Sequence, residues 1–239
     1  MADRAYTTEL RDYYNHPASP VHLIPIAEKA RQVDREFAQP NHWRRELALA
    51  IRRTLRGRRV LEIACGTGIW TRLTLEVASS VLATDASPRI LARAKKLVRH
   101  GKEAAGARLD FLQLDAFELG HAPGRFDAAL AINWFQHVPC ARCAEFLQLL
   151  HQKLGPNAVV FFATTHRSKA WRARLFRRPG EADFYSRRTR PDGSRYEVID
   201  NLYSEKELAR IFAPYSKRLR FRSGQAYSWI TYQAKTGRR

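Results

Sequence analysis

The sequence predicts an α/β fold, a doubly wound and mostly parallel sheet closed by a terminal antiparallel strand, and three observations carry that prediction. From Arg59 onward, short β-branched and apolar runs alternate with segments of helical period, as in a parallel sheet covered by helices on both faces. The runs are continuously apolar rather than alternating, as strands buried on both faces are. The first of them leads directly into a Gly-x-Gly turn and a helix start, Val60 to Trp70 (VLEIACGTGIW).

The elements follow in order. Residues 1–58 read as a helical extension, with Tyr13, Tyr14 and an NHPASP turn before Leu23, which packs over one sheet edge or over the site as a lid. RVLEIA is the first strand, followed by a helix-like stretch from Ile69 to Ser79 and the strand VLATD. Ser87 caps the next helix and Pro88 takes its first position, after which Ile90, Leu91, Ala94, Leu97 and Val98 recur at helical spacing. LDFLQLD, FDAALAIN and AVVFFATT are the remaining buried strands, and Gly155-Pro156 stops the helix that begins near Ala141. Residues 166–203 interrupt the rhythm as an insertion after strand five, where a Pro191-Asp192-Gly193 turn separates two runs that read as a hairpin. Ser204 and Glu207 form a capping-box pattern ahead of Leu208, Ile211 and Phe212, and AYSWITYQAK alternates as an antiparallel strand does. The domain reading is therefore an extension over 1–58 and a main domain over 59–239 that contains the insertion.

Composition bounds the alternatives. A chain of 239 residues with 45% hydrophobic and 11% aromatic side chains buries roughly 70% of its unfolded surface, which excludes long disorder and small disulfide scaffolds. The 3 cysteines, Cys65, Cys140 and Cys143, are an odd set suited to a reducing compartment, so a cytoplasmic location is expected. No run approaches the roughly 18 apolar residues of a membrane span, and the charged N-terminus has no apolar segment behind it, so neither a signal peptide nor membrane embedding is expected. The net charge is +19, with 19 basic and 7 acidic side chains after residue 165 against 23 and 16 before it.

The glycine turn carries the chemistry. Glycines lack Cβ, so a ligand can approach the bare backbone at Gly66-Thr67-Gly68, and the helix start beyond offers free N–H donors, which suits a nucleotide-like cofactor. In the dinucleotide fingerprint a third glycine would stand at Thr71, and Glu62 in the preceding strand would repel a pyrophosphate, so an NAD reading is weak.

These residues resemble the class I S-adenosylmethionine-dependent methyltransferases, whose motif is an acidic residue, three positions and Gly-x-Gly, matched by Glu62 and Gly66-Thr67-Gly68. The likeness continues in order with Asp85 ending strand two, Asp115 and Ala116 after strand three, and NWFQHVP (Asn133 to Pro139) after strand four. It covers residues 58–165 well and 204–233 more loosely, while residues 1–57 and 166–203 lie where such enzymes vary. It implies a Rossmann-like seven-stranded sheet and S-adenosyl-L-methionine as cofactor. It further implies cofactor contacts from Glu62, Ala64, Gly66, Gly68 and Trp70 at the first turn, Asp85 and Ala86 at the ribose, Asp115 and Ala116 at the adenine, and Asn133 and Phe135 after strand four. An unpaired carboxylate such as Glu62 in a buried strand requires a cation or backbone donors.

His137, just past the carboxyl end of strand four, is the candidate general base, since methyl transfer to a hydroxyl or protonated amine needs a proton removed; a histidine that only bonds loop backbone is the alternative. Cys140 and Cys143 form C-x-x-C, but no second ligand pair accompanies them, so they read as structural thiols and no metal is expected. The arginines and aromatics of the insertion, Trp171, Phe176, Phe184, Tyr185 and Tyr196 among them, suit a lid on the acceptor side whose arginines select an anionic acceptor. The sequence thus points to methyl transfer to oxygen or nitrogen of a small molecule. Methylation of RNA or an RNA-associated protein, suggested by the charge, is the alternative; against it, enzymes that methylate adenine amines carry Pro-Pro where Trp134-Phe135 follow Asn133. A third reading is a non-catalytic protein that keeps the fold and presents its basic face to nucleic acid. The sequence is silent on oligomeric state.

Overall fold

The computed structural model describes residues 11–17, 19, 24–39, 42–99, 107–190 and 192–235. Residues 11–15 are helical and are followed by α1 (Ile26–Ala38) and α2 (Arg45–Leu55). The chain then runs β1 (Arg59–Ile63), α3 (Ile69–Leu75), β2 (Ser80–Asp85), α4 (Pro88–Arg99), β3 (Arg108–Gln113), β4 (Phe126–Ile132), α5 (Cys143–Gln152) and β5 (Leu154–Thr165). The insertion holds α6 (Lys169–Arg172), β6 (Phe176–Arg177), β7 (Phe184–Thr189) and β8 (Arg195–Ile199), before α7 (Glu205–Phe212), β9 (Ser216–Ser223) and β10 (Tyr227–Ala234).

The 7-stranded sheet has the order β3-β2-β1-β4-β5-β10-β9. β1 to β5 pair in parallel, and β10 is antiparallel to both of its neighbours. The reversed strand therefore lies inside the sheet, with β9 at the edge. Successive residues of each central strand enter different cores: Leu61, Ile63, Ala129, Val160 and Phe162 pack with Phe146 and Leu150 of α5 and Phe212 of α7. Val60, Ala128, Leu130 and Phe161 pack on the other face with Leu47 and Ile51 of α2, Leu73 of α3 and Ala94 of α4. This two-sided burial is why β1, β2, β4 and β5 read as unbroken apolar runs, whereas β3, expected to be buried, is an edge strand without a buried residue.

Local chemistry fixes the element ends. Ser87 Oγ accepts the Ile90 N–H at 3.1 Å, and Ser204 and Glu207 close a full capping box on α7. Two boundaries differ from expectation. α3 stops at Leu75 rather than Ser79, and Gly155-Pro156 lies within β5, where the pairing with β4 shifts register, while α5 has already ended at Gln152. In the insertion, β7 and β8 form the expected hairpin, widened by β6 into a 3-stranded sheet. No helix among the described residues is long and apolar enough to cross a membrane.

Candidate functional site

A cavity of about 250 Å³ opens at the carboxyl ends of β1, β2 and β4, where the parallel strands release the chain into loops. Ala64, Gly66 and Thr67 line one wall, Asp85, Ala86 and Ser87 the next, Leu114, Asp115 and Ala116 a third, and Ile132, Asn133, Trp134 and His137 the floor and far side. Arg11 and Tyr14 of the N-terminal segment also line it. The chain reaches this geometry through left-handed backbone at Ala64 (φ 50), Gly66 (φ 57), Gly68 (φ 83) and Asn133 (φ 56). The two glycines serve different ends. A Cβ on Gly66 would meet nothing within 4 Å, leaving the backbone bare toward the cavity, whereas a Cβ on Gly68 would stand 3.1 Å from the backbone and side chain of Ala94. Gly68 therefore admits α4 rather than a ligand.

Asp85 ties the first two loops together: one carboxylate oxygen accepts the Gly66 N–H at 3.0 Å and the other the Ser87 N–H at 2.9 Å. Burial raises its pKa, opposed by these two donors and reinforced by Asp115. Each oxygen keeps a further lone pair for a ligand hydroxyl. Asp115 accepts the Phe117 N–H at 2.8 Å with one oxygen, which holds its side chain at the cavity wall.

Glu62 is outside the cavity lining, two residues before Ala64 and only 3% exposed. Its Oε2 has no hydrogen-bond partner among the described residues, and neither has the buried Thr71 hydroxyl. Burial pushes the Glu62 carboxyl up to about 8; the neighbouring Thr71 side chain opposes this and Asp85 reinforces it. An ionisable group so placed is left unsatisfied until a donor or a cation arrives.

His137 closes the far side. Its Nδ1 lies 2.5 Å from the Ile199 carbonyl oxygen, which can only accept, so Nδ1 carries the proton and Nε2 is the basic nitrogen. Burial, reinforced by Arg188, lowers its pKa to about 4, with Asp200 opposing, so the ring is neutral near pH 7. Behind it, Asp200, 1% exposed, receives Arg167 and Arg188 at 3.4 Å each and the Ser186 hydroxyl at 3.2 Å. Arg188 also donates to the Tyr14 hydroxyl, linking the insertion to the N-terminal wall of the cavity.

The structure brings Ala64, Gly66, Asp85, Ala86, Asp115, Ala116, Asn133 and His137 to one cavity and leaves Glu62, Gly68, Trp70 and Phe135 out of its lining. Trp70 is buried in the core between Phe37 and Tyr227, because the first turn of α3 turns it away from the strand ends. Phe135 stacks on Phe162 and packs against Phe212 on the other side of the loop. The side chain of Asn133 is spent internally, its Oδ1 accepting from the Thr165 backbone and hydroxyl at 2.8 and 2.9 Å. Sequence reasoning missed Arg11, Tyr14, Ser87, Ile90, Leu114, Ile132 and Trp134 as lining residues. For Trp134 the sequence held no signal, because its side depends on the turn type: Phe135–His137 is a 3₁₀ turn, in which residues three apart share a side, so Trp134 accompanies His137. Its indole N–H is buried and has no partner among the described residues.

Comparison with known proteins agrees with this architecture. A family model described as a methyltransferase domain matches residues 60–157. A ubiquinone biosynthesis O-methyltransferase of Azorhizobium caulinodans is 32% identical over 116 residues, 48% of this chain and 44% of that protein. Its counterpart in Rhizobium etli is 29% identical over 154 residues, 64% and 55% of the two chains. The chain thus spans about half the length of these relatives. Among solved structures, the DhpI–SAH complex superposes with a TM-score of 0.67 at 24% identity, covering 97% of this chain and 98% of that one. The DhpI–SAM–HEP complex gives 0.64 at 25% identity over 94% and 95%. Residues 60–157 thus match a methyltransferase domain, and the chain shares its fold with structures solved with S-adenosylhomocysteine and S-adenosylmethionine.

Proposed function

We propose that the protein transfers a methyl group from S-adenosyl-L-methionine to oxygen or nitrogen of a small-molecule acceptor. The observation that carries this reading is the pairing of a bare-backbone wall at Gly66 with two carboxylates on the adjoining walls, backed by a buried Glu62 whose Oε2 lacks a partner among the described residues. The residues fit the cofactor: Glu62 and the Ala64–Thr67 turn would hold its amino-acid part, Asp85 its ribose hydroxyls, and Asp115 with the Ala116 N–H its adenine. When bound, it supplies an electrophilic methyl group on a sulfonium. The chain's own contribution is positioning and proton handling. The walls hold the reactants in line, which by itself lowers barriers by several kcal/mol. His137 presents Nε2 as acceptor for the proton that leaves the receiving atom, and the Ile199 carbonyl fixes the ring in that tautomer.

A small acceptor is favoured over RNA because the site is a cavity of about 250 Å³ and four of the ten cations of residues 166–203 are engaged internally. Arg178 and Arg187 pair with Glu197, and Arg167 and Arg188 with Asp200, which leaves fewer free cations for phosphates. The insertion and residues 11–17 are read as the acceptor-side cover of the site. Calorimetry with S-adenosylhomocysteine and with NAD tests the cofactor, and tritium transfer from labelled S-adenosylmethionine into metabolite fractions tests catalysis. Asp85→Ala is expected to weaken S-adenosylhomocysteine binding at least tenfold. Unchanged affinity, or preference for NAD, would overturn the reading.

A further inference from the structure

A second cavity, of about 200 Å³, lies on the other side of the 133–137 loop and has no part in the proposed methyl transfer. The same 3₁₀ turn that directs Trp134 and His137 to the first cavity directs Phe135 and Gln136 to this one. Gln136 is 5% exposed, yet neither its Oε1 nor its Nε2 has a hydrogen-bond partner among the described residues. A buried amide with both ends unsatisfied is costly unless something in the cavity meets it. Its backbone oxygen, by contrast, accepts the Asn201 N–H at 2.8 Å, so the residue is fixed and only the side chain lacks partners.

The rest of the lining specifies what would meet it. Phe135, Phe162, Tyr203, Phe221 and Trp229 supply aromatic walls around the amide. At the mouth stand Arg172 and Arg222, both exposed and without an ion pair among the described residues. The acids of the lining are Asp200, already shared by Arg167 and Arg188, and Glu205, so the rim is net positive. We propose that this cavity is a binding site for a planar aromatic anion. Its inner end carries a group that both donates to Gln136 Oε1 and accepts from Gln136 Nε2, such as a hydroxyl, and its outer end a carboxylate facing Arg172 and Arg222. Amide, rings and arginines are then all satisfied by one molecule, which no single water or aliphatic anion achieves.

The probe is 4-hydroxyphenylacetate, with phenylacetate lacking the inner hydroxyl and 4-methylphenol lacking the anion. Titration into the ¹⁵N-labelled full chain, saturated with S-adenosylhomocysteine, follows the Gln136 side-chain NH₂ pair, assigned by its disappearance in Gln136→Leu. Saturable binding is expected, with that pair among the resonances that shift most, and with each control about tenfold weaker. Gln136→Leu should weaken the probe about tenfold but leave phenylacetate unchanged. Exposed Arg222→Ala, which bears on no core packing, should weaken the probe and phenylacetate alike and reduce the salt dependence. The proposal fails if the probe does not saturate, if all three compounds bind equally, or if the Gln136 resonances stay still. Binding of the probe only when S-adenosylhomocysteine is left out would place it in the first cavity and likewise overturn the assignment. Because the readout is binding alone, its failure leaves the methyl-transfer reading untouched, and the reverse holds.

Discussion

Glu62→Gln removes an ionisable proton while keeping shape and polarity, so it isolates what burial does to this carboxyl. The folded-state value of about 8 against an ordinary 4.5 means that the folded protein holds the proton more tightly than the unfolded chain. The carboxyl therefore leaves stability intact below pH 4.5, and wild-type stability falls as pH rises from there to about 8. At ~1.4 kcal/mol per pH unit, the accumulated loss is roughly 3 kcal/mol at pH 7 and levels off near 5 kcal/mol above pH 8. The glutamine variant lacks this slope. Urea denaturation of both proteins at pH 4, 7 and 9 should show a stability difference that grows with pH in favour of the variant, on top of any constant offset. Binding supplies a second readout. A ligand whose ammonium group rests on Glu62 must expel its proton, so nearly one proton is released per ligand at pH 7 and about half as many at pH 8. Calorimetry with S-adenosylhomocysteine in two buffers of different ionisation enthalpy measures that release, and the glutamine variant should show none. A stability difference constant to within about 0.5 kcal/mol from pH 4 to 9, far smaller than the expected change of several kcal/mol, would refute the reasoning.

Three further expectations follow from the same geometry. His137, with a folded value of about 4 against an ordinary 6.5, contributes stability above pH 6.5 that is lost as pH falls through 4, and kcat/KM for the acceptor, measured with the cofactor saturating so that Glu62 has already lost its proton, should stay flat from pH 7 to about 5. A limb near pH 6.5 that vanishes in His137→Asn would contradict this. Gly68→Ala forces a left-handed alanine against Ala94 and should cost roughly 2 kcal/mol in thermal unfolding, whereas Gly66→Ala, facing open space, should cost about 1 kcal/mol while weakening cofactor binding more than Gly68→Ala does. Equal stability losses would remove the distinction drawn between the two glycines. Asp200→Ala leaves Arg167 and Arg188 facing each other without their shared anion and should destabilise by about 3 kcal/mol in urea, since both arginines retain some water; a loss under about 1 kcal/mol would show that the cluster is structurally idle.

The sheet was legible because its signal is local. Each central strand feeds two cores, so Val60 and Leu61, or Phe161 and Phe162, are both apolar although they face opposite ways, and a run of such residues has few other uses. Capping is equally local, as Ser87 and the Ser204–Glu207 box show. The glycine turn could be read from spacing alone, yet spacing could not divide the labour between Gly66 and Gly68, because that depends on where α4 passes, and Ala94 lies 26 positions beyond Gly68 in the chain. Tyr14 and Arg11 reach the cavity from a segment that precedes the first strand, and nothing in their immediate surroundings marks the destination.

The loop after β4 shows where sequence reasoning stops and geometry takes over. NWFQHVP was legible as a functional segment from its place past a strand end, but its residues could not be sorted, since sorting requires the turn type. A 3₁₀ turn repeats every three residues, so Trp134 and His137 share one side while Phe135 and Gln136 take the others. An α-helical phase would have grouped them differently. The partner that sets the histidine tautomer is the carbonyl of Ile199, 62 residues downstream, and the partner of the Gln136 backbone is the Asn201 N–H two residues further on. One strand end of the insertion thus fixes both faces of the loop: displacing β8 would release the His137 tautomer and the Gln136 backbone together. This is a physical reason for an insertion to be attached at that point in the chain.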